Sequence, residues 1–178
     1  MAKRKKSVDR LVPYVGILAA LALILGLVES ILPPIPGMPP GVKLGLSNIV
    51  VLFCADALGL VPALCIALIK GLFALLLRGA LSGLLSLCGG IFSVLVICLV
   101  LRFPKRFGLL GASMAGAVTH NFMQLLAVTL LTASPALSAY LPLLLVSGVV
   151  MGFITALILC CLLPLLQKAK PQRYKQTG

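Results

Sequence analysis

An imidazole and two carboxamides stand together at His120, Asn121 and Gln124, in the segment AGAVTHNFMQLLAVTLL, within a stretch from 107 to 167 that holds no Asp, Glu, Lys or Arg. Polar groups are costly in hydrocarbon, and where they occur at membrane depth they mark pathways or pockets. His120 and Gln124 are four residues apart and share a helix face, while Asn121 is three residues from Gln124, so the side chains can converge on one ligand. The same groups also suit hydrogen bonding between helices. Lys70 poses a sharper question, because an ammonium at the bilayer midplane needs a partner or a water-filled cavity. Counted at ~1.5 Å per residue from the helix ends, Lys70 and His120 both reach the middle of the bilayer.

Glu29, Lys43, Asn48 and Arg78 fall toward the extracytoplasmic ends of the first three helices. Together with His120, Asn121, Gln124 and Lys70 they describe a ligand-binding cavity open to the outside and closed below by His120, with Asn48 and Lys43 near its mouth. Glu29, Lys43 and Arg78 have a structural alternative at the interface, where long side chains snorkel and a Glu29–Lys43 ion pair fastens the adjoining loop. Asp56 is expected to cap or pair at the opposite end of the second helix.

The elements that position these groups follow from composition. The chain of 178 residues is 61% hydrophobic and 10% charged, its mean hydropathy is +1.22, and apolar runs of about twenty residues recur along it. This predicts an all-α, polytopic membrane bundle of six transmembrane helices over 11–32, 43–58, 63–78, 79–101, 109–131 and 140–166, the second and third of them short. Five prolines and two glycines from Pro33 to Gly41 rule out helix there and mark a rigid extracytoplasmic loop. The six-helix domain, 11–166, is flanked by basic tails at 1–10 and 167–178. No length remains for a soluble catalytic domain.

The net charge of +12 is not spread as in a nucleic-acid-binding protein. Basic residues cluster in the first tail, between Arg102 and Arg106, and in the last tail. An even number of crossings puts all three clusters on one side, and the positive-inside rule makes that side cytoplasmic. The expectation is a multi-pass protein of the cell membrane with both termini cytoplasmic, in contact with lipid and not with nucleic acid. MAKRKK followed by apolar residues has the outline of a signal peptide, but no small-x-small cleavage site follows, so the segment reads as a retained first helix.

Six cysteines lie in apolar segments without metal-ligand spacing and read as small buried hydrophobes, with iron–sulfur ligation by facing cysteines as the alternative. No GxxxxGK[ST], HExxH or GxSxG occurs, and one histidine cannot supply bis-histidine haem ligation. No catalytic activity is expected of this chain alone, and no metal or cofactor is implied by its motifs. Small residues four apart, Gly16 and Ala20, Ala22 and Gly26, Gly111 and Ala115, Gly148 and Gly152, allow close helix packing, and those of the first helix suit docking of another membrane protein.

VES near the end of the first helix, then PPIPG, GVKLGLSNIVVL, AGAVTHNFMQLL and LPLLLVSGVVMG, closely resemble the Gx transporter family, also labelled heptaprenyl diphosphate synthase component I. The resemblance covers nearly all of residues 11–166 and implies a six-helix fold similar to the S components of energy-coupling factor transporters. It implies a substrate-binding subunit for a small molecule, isoprenoid- or quinone-related, which works with a transmembrane coupling protein and cytoplasmic ATPases. In that role His120, Asn121 and Gln124 form the pocket floor and Lys70 compensates a negative or polarised ligand group. Two alternatives accompany it. One is a membrane subunit of quinone- and flavin-linked extracellular electron transfer, with a flavin-carrying partner and flavin, quinone or iron–sulfur as cofactor. The other is a membrane partner of the prenyl diphosphate synthase. Synthesis itself requires Asp-rich motifs that hold magnesium, and the only aspartates are Asp9 and Asp56.

Overall fold

The computed structural model describes residues 2–31 and 45–169. Lys43 and the proline-rich loop lie outside the described residues, as does most of the C-terminal tail. Six helices follow in order, α1 Ala2–Ile31, α2 Leu46–Leu58, α3 Leu60–Arg78, α4 Ala80–Leu101, α5 Pro104–Thr132 and α6 Leu141–Ala169, with a 3-10 turn, Pro135–Tyr140, before the last. The described residues contain no strand. The expected all-α bundle is therefore observed.

Glycines set two of the corners. Gly59 (φ 91, ψ −167) is the only residue between α2 and α3, and Gly79 (φ 86, ψ 172) the only one between α3 and α4. Both occupy backbone regions that a Cβ makes costly, so single residues there reverse the chain. Several boundaries differ from expectation, most of all at α1, which begins at Ala2 rather than 11 and takes in the expected basic tail. α3 begins at Leu60 rather than 63, because Pro62 falls in the first turn, where its missing N–H has no partner to lose. α5 begins at Pro104 rather than 109, and the expected turn is instead a single helical turn ending in a kink at Gly108 (φ 59, ψ −168).

Five helical segments are long and apolar enough to cross a membrane: Leu11–Ile31, Leu60–Arg78, Ala80–Leu101, Phe107–Thr132 and Ala136–Leu166. α2 is different. Its 13 residues rise about 20 Å, well short of a hydrocarbon core of roughly 30 Å. It is also the most enclosed element, with every residue from Ile49 to Ala55 buried and Phe53, Leu52 and Cys54 almost fully so. α2 packs against α1, α3, α4 and α6, which explains why it is apolar on all sides. The other helices carry large apolar side chains outward, Leu76 at 79% and Leu130 at 72% exposure, a surface suited to lipid rather than water.

Short connections make α2 to α6 alternate in direction. Gly59, the 102–103 corner and the end of α6 thus lie at one end of the bundle, and Gly79 and the 133–140 connection at the other. The Arg78 guanidinium donates to the Gly26 carbonyl (3.4 Å), which brings the last turns of α1 to the Gly79 end. Gly148 and Gly152 admit α5 at close range: a Cβ on Gly152 would fall 2.6 Å from Met114 Cα, and Ser113 Oγ donates to the Gly152 carbonyl at 2.7 Å. Ala22 is fully buried, and Gly26 sits beside Ser47 of α2. Gly16 has nothing within 4 Å of where a Cβ would stand. Gly111 meets Phe107 of its own helix rather than a neighbour.

A candidate ligand-binding cavity above a half-length helix

α2 and α3 run antiparallel from Gly59, so the first turn of α2 reaches only to the middle of α3. There Lys70 Nζ donates to Ser47 Oγ (2.9 Å) and Asn48 Oδ1 (2.6 Å). Beyond that level, toward Gly79, the axis of the bundle has no central helix. A cavity of about 350 Å³ opens there, is lined from all six helices, and continues past His120 alongside α2 to Ser93 and Ile97 of α4, Ser113 of α5 and Thr155 of α6, so His120 does not close it below as expected. Its volume lies within the ~300–1,000 Å³ range of small-molecule pockets.

Seven of the eight residues singled out from sequence line this one cavity: Glu29, Asn48, Lys70, Arg78, His120, Asn121 and Gln124. Lys43 is outside the described residues. The seven make different attachments. His120 and Gln124 lie against α4 at Gly89, where a Cβ would come within 2.9 Å of both His120 Nδ1 and Gln124 Cγ. The missing side chain at Gly89 is what lets them pack there, and Gly89 is itself buried. Asn121 turns the other way, its Nδ2 donating to the Leu144 carbonyl (3.0 Å) and to Ser147 Oγ (3.4 Å) on α6. The carboxamide thus ties α5 to α6 through its Nδ2 while lining the cavity beside His120 and Gln124.

Glu29 is buried and its Oε1 accepts the backbone N–H of Gly45, the left-handed residue that precedes α2 (φ 77). A carboxylate there offsets the positive end of the α2 dipole and ties the last turn of α1 to the start of α2. Arg78 is exposed at the rim. Asp56 lies near the far end of α2, exposed and away from the cavity.

Hydroxyl groups complete the lining, and sequence reasoning passed over them. Ser82, Ser86 and Ser93 project from one face of α4, and Ser47, Ser113 and Thr155 come from α2, α5 and α6. Their signal was spacing: 82, 86 and 93 are separated by four and seven residues, the repeat of a single helix face. The cavity therefore offers one ammonium, one guanidinium, an imidazole, carboxamides and several hydroxyls, set among apolar side chains such as Phe73 and Leu85. It can orient and hold a partly polar small molecule. None of the six cysteines lines it, and no cluster of three or more His, Cys, Asp or Glu suited to a metal ion exists among the described residues.

No match was found among curated proteins or solved structures. The sequence profile of the family described as heptaprenyl diphosphate synthase component I matches residues 18–162, a span that takes in every cavity-lining segment, and the chain belongs to that family.

Proposed function

We propose that the chain is the membrane-embedded substrate-binding subunit of a transporter, similar to the S components of energy-coupling factor systems, and that it binds an isoprenoid- or quinone-related small molecule in this cavity. The observation that carries the reading is the half-length α2, which leaves a polar-lined hollow at membrane depth where a packed bundle would place helix. An enclosed Lys70, His120 and Gln124 are expensive to keep in a lipid-facing protein unless a ligand uses them.

Orientation follows from charge. Arg102 and the corner after it, the basic start of α1 and the end of α6 share the end of the bundle opposite the Glu29 and Arg78 rim of the cavity. The positive-inside rule puts that end in the cytoplasm, with both termini, and turns the cavity outward in the cell membrane. Movement across the membrane then depends on a coupling protein with cytoplasmic ATPases, since the chain has no nucleotide-binding motif of its own.

The test is mass spectrometry of small molecules retained after gentle purification, compared between the wild type and Ser86→Phe, which fills the hollow from α4. A molecule held by the wild type and depleted at least tenfold in a folded Ser86→Phe variant is the expected result. Equal retention by the two proteins contradicts the assignment.

The family description favours a second reading, a non-catalytic membrane partner of a prenyl diphosphate synthase. That role predicts stable co-purification with the soluble synthase subunit, unchanged by Ser86→Phe.

A further inference from the structure

We infer that the hollow has an inner subsite past His120, and that the bound molecule is elongated, with an uncharged oxygen- or nitrogen-bearing group at its far end held by the hydroxyls of Ser93 and Thr155. The inference rests on the binding role proposed above and concerns the shape and inner end of what is bound. On α4 the lining runs from Ser82 to Ile97, roughly 22 Å of helix at the standard rise. A volume of about 350 Å³ spread over that length is a narrow slot rather than a round pocket. His120 stands against Gly89, between the two ends, so a molecule that fills the slot passes the imidazole.

Two hydroxyls set the chemistry of the inner part. The buried polar side chains of the described residues are Glu29, Ser47, Ser93, Ser113, Ser147 and Thr155. Four of them are engaged: Glu29 accepts from the Gly45 N–H, Ser47 accepts from Lys70, Ser113 donates to the Gly152 carbonyl and Ser147 to the Leu144 carbonyl. Ser93, at 7% exposure, and Thr155, at 5%, have no hydrogen-bond partner among the described residues. Their oxygens are not sealed in packing but open on the cavity. A helical hydroxyl can satisfy itself on the carbonyl of the preceding turn, as Thr119 and Thr132 do on Ala115 and Val128. Ser93 and Thr155 forgo that bond, and an unpaired polar group in apolar surroundings is costly. A hydroxyl both donates and accepts, which suits a hydroxyl, carbonyl or amide on the bound molecule. Leu52, Ile97 and Ser113, which line this part too, bring no charge, so the group held there is neutral. A molecule ending in bare hydrocarbon would leave both hydroxyls unpaired.

The experiment is thermal unfolding of the purified full chain in detergent with 1,8-octanediol or 1-octanol at equal concentration, two neutral chains that differ only in the second hydroxyl. Wild type, Ser93→Ala, Thr155→Val, the double variant and Ser86→Phe are compared. The diol is expected to raise the wild-type midpoint by about 2–4 °C over its value in 1-octanol. That advantage should shrink in each single variant and vanish in the double variant and in Ser86→Phe. Without additive, the Ser93 and Thr155 variants should melt at or above the wild type, because removing a hydroxyl that has no partner leaves nothing newly unpaired. A midpoint several degrees lower would give the hydroxyls a structural role and overturn the inference. No advantage of the diol in the wild type, or an equal advantage in the double variant, overturns it as well. Small molecules retained through gentle purification separate the two claims. A molecule depleted in Ser86→Phe but fully retained by the double variant overturns the inner subsite and leaves the binding role intact. Equal contents in the wild type and Ser86→Phe overturn both.

Discussion

His120 and Asn121 are neighbours in sequence and opposites in attachment. One helical step turns the imidazole toward Gly89 on α4 and the carboxamide toward Leu144 and Ser147 on α6. Their substitutions should separate accordingly. Asn121→Ala removes the interhelical hydrogen bonds to Leu144 and Ser147 and should cost about 0.6 kcal/mol per bond, the average for such bonds in a membrane bundle, with retention of the cavity molecule little changed. Thermal unfolding and retained-molecule analysis of the same sample read both quantities. Gly89→Ala should do the reverse in emphasis. Its Cβ would press on His120 Nδ1 and Gln124 Cγ at 2.9 Å, and the pair must shift from the cavity wall. A fall in retention of roughly tenfold, equivalent to about 1.4 kcal/mol, is expected. Sequence made the island of His120, Asn121 and Gln124 visible because polar groups stand out in an apolar run. It did not separate their roles, since a carboxamide donates equally well to a ligand or to a backbone carbonyl. The serines of α4 escaped notice because hydroxyls are inexpensive in membrane helices, where they bond back to the preceding turn.

At the scale of elements, α2 decides the architecture. Its apolar run looked like a short transmembrane span, and hydropathy could say no more, because lipid and protein interior are equally apolar surroundings. What distinguishes α2 is burial on all sides, which depends on four other helices and cannot be read from thirteen residues. Phe53, at 1% exposure, is central to that packing. Phe53→Ala should therefore destabilise the fold by about 3–5 kcal/mol, and outward-facing Leu76→Ala by far less. Unfolding in detergent at graded denaturant compares the two, and equal losses would show that α2 is not the core. The remaining helices were legible to within a few residues except at the start of α1, where the basic tail continues the helix to Ala2. Their errors, at Leu60 and Pro104, arose where proline sat in a first turn and was taken for a break.

At the scale of the whole molecule, the basic start of α1 and the corner at Arg102 lie at the end opposite the Glu29 and Arg78 rim of the cavity, beside a helix that stops halfway. In the proposed binding role this hollow is wet and reached from outside the cell. The most direct measurement places a single cysteine at Ser86 in a background with all six native cysteines replaced, and treats intact cells with a membrane-impermeant methanethiosulfonate. Ser86→Cys is expected to react, while Leu76→Cys, on the lipid-facing surface, is not. An unreactive Ser86→Cys, or one that reacts only after the cytoplasmic face is exposed, would contradict it.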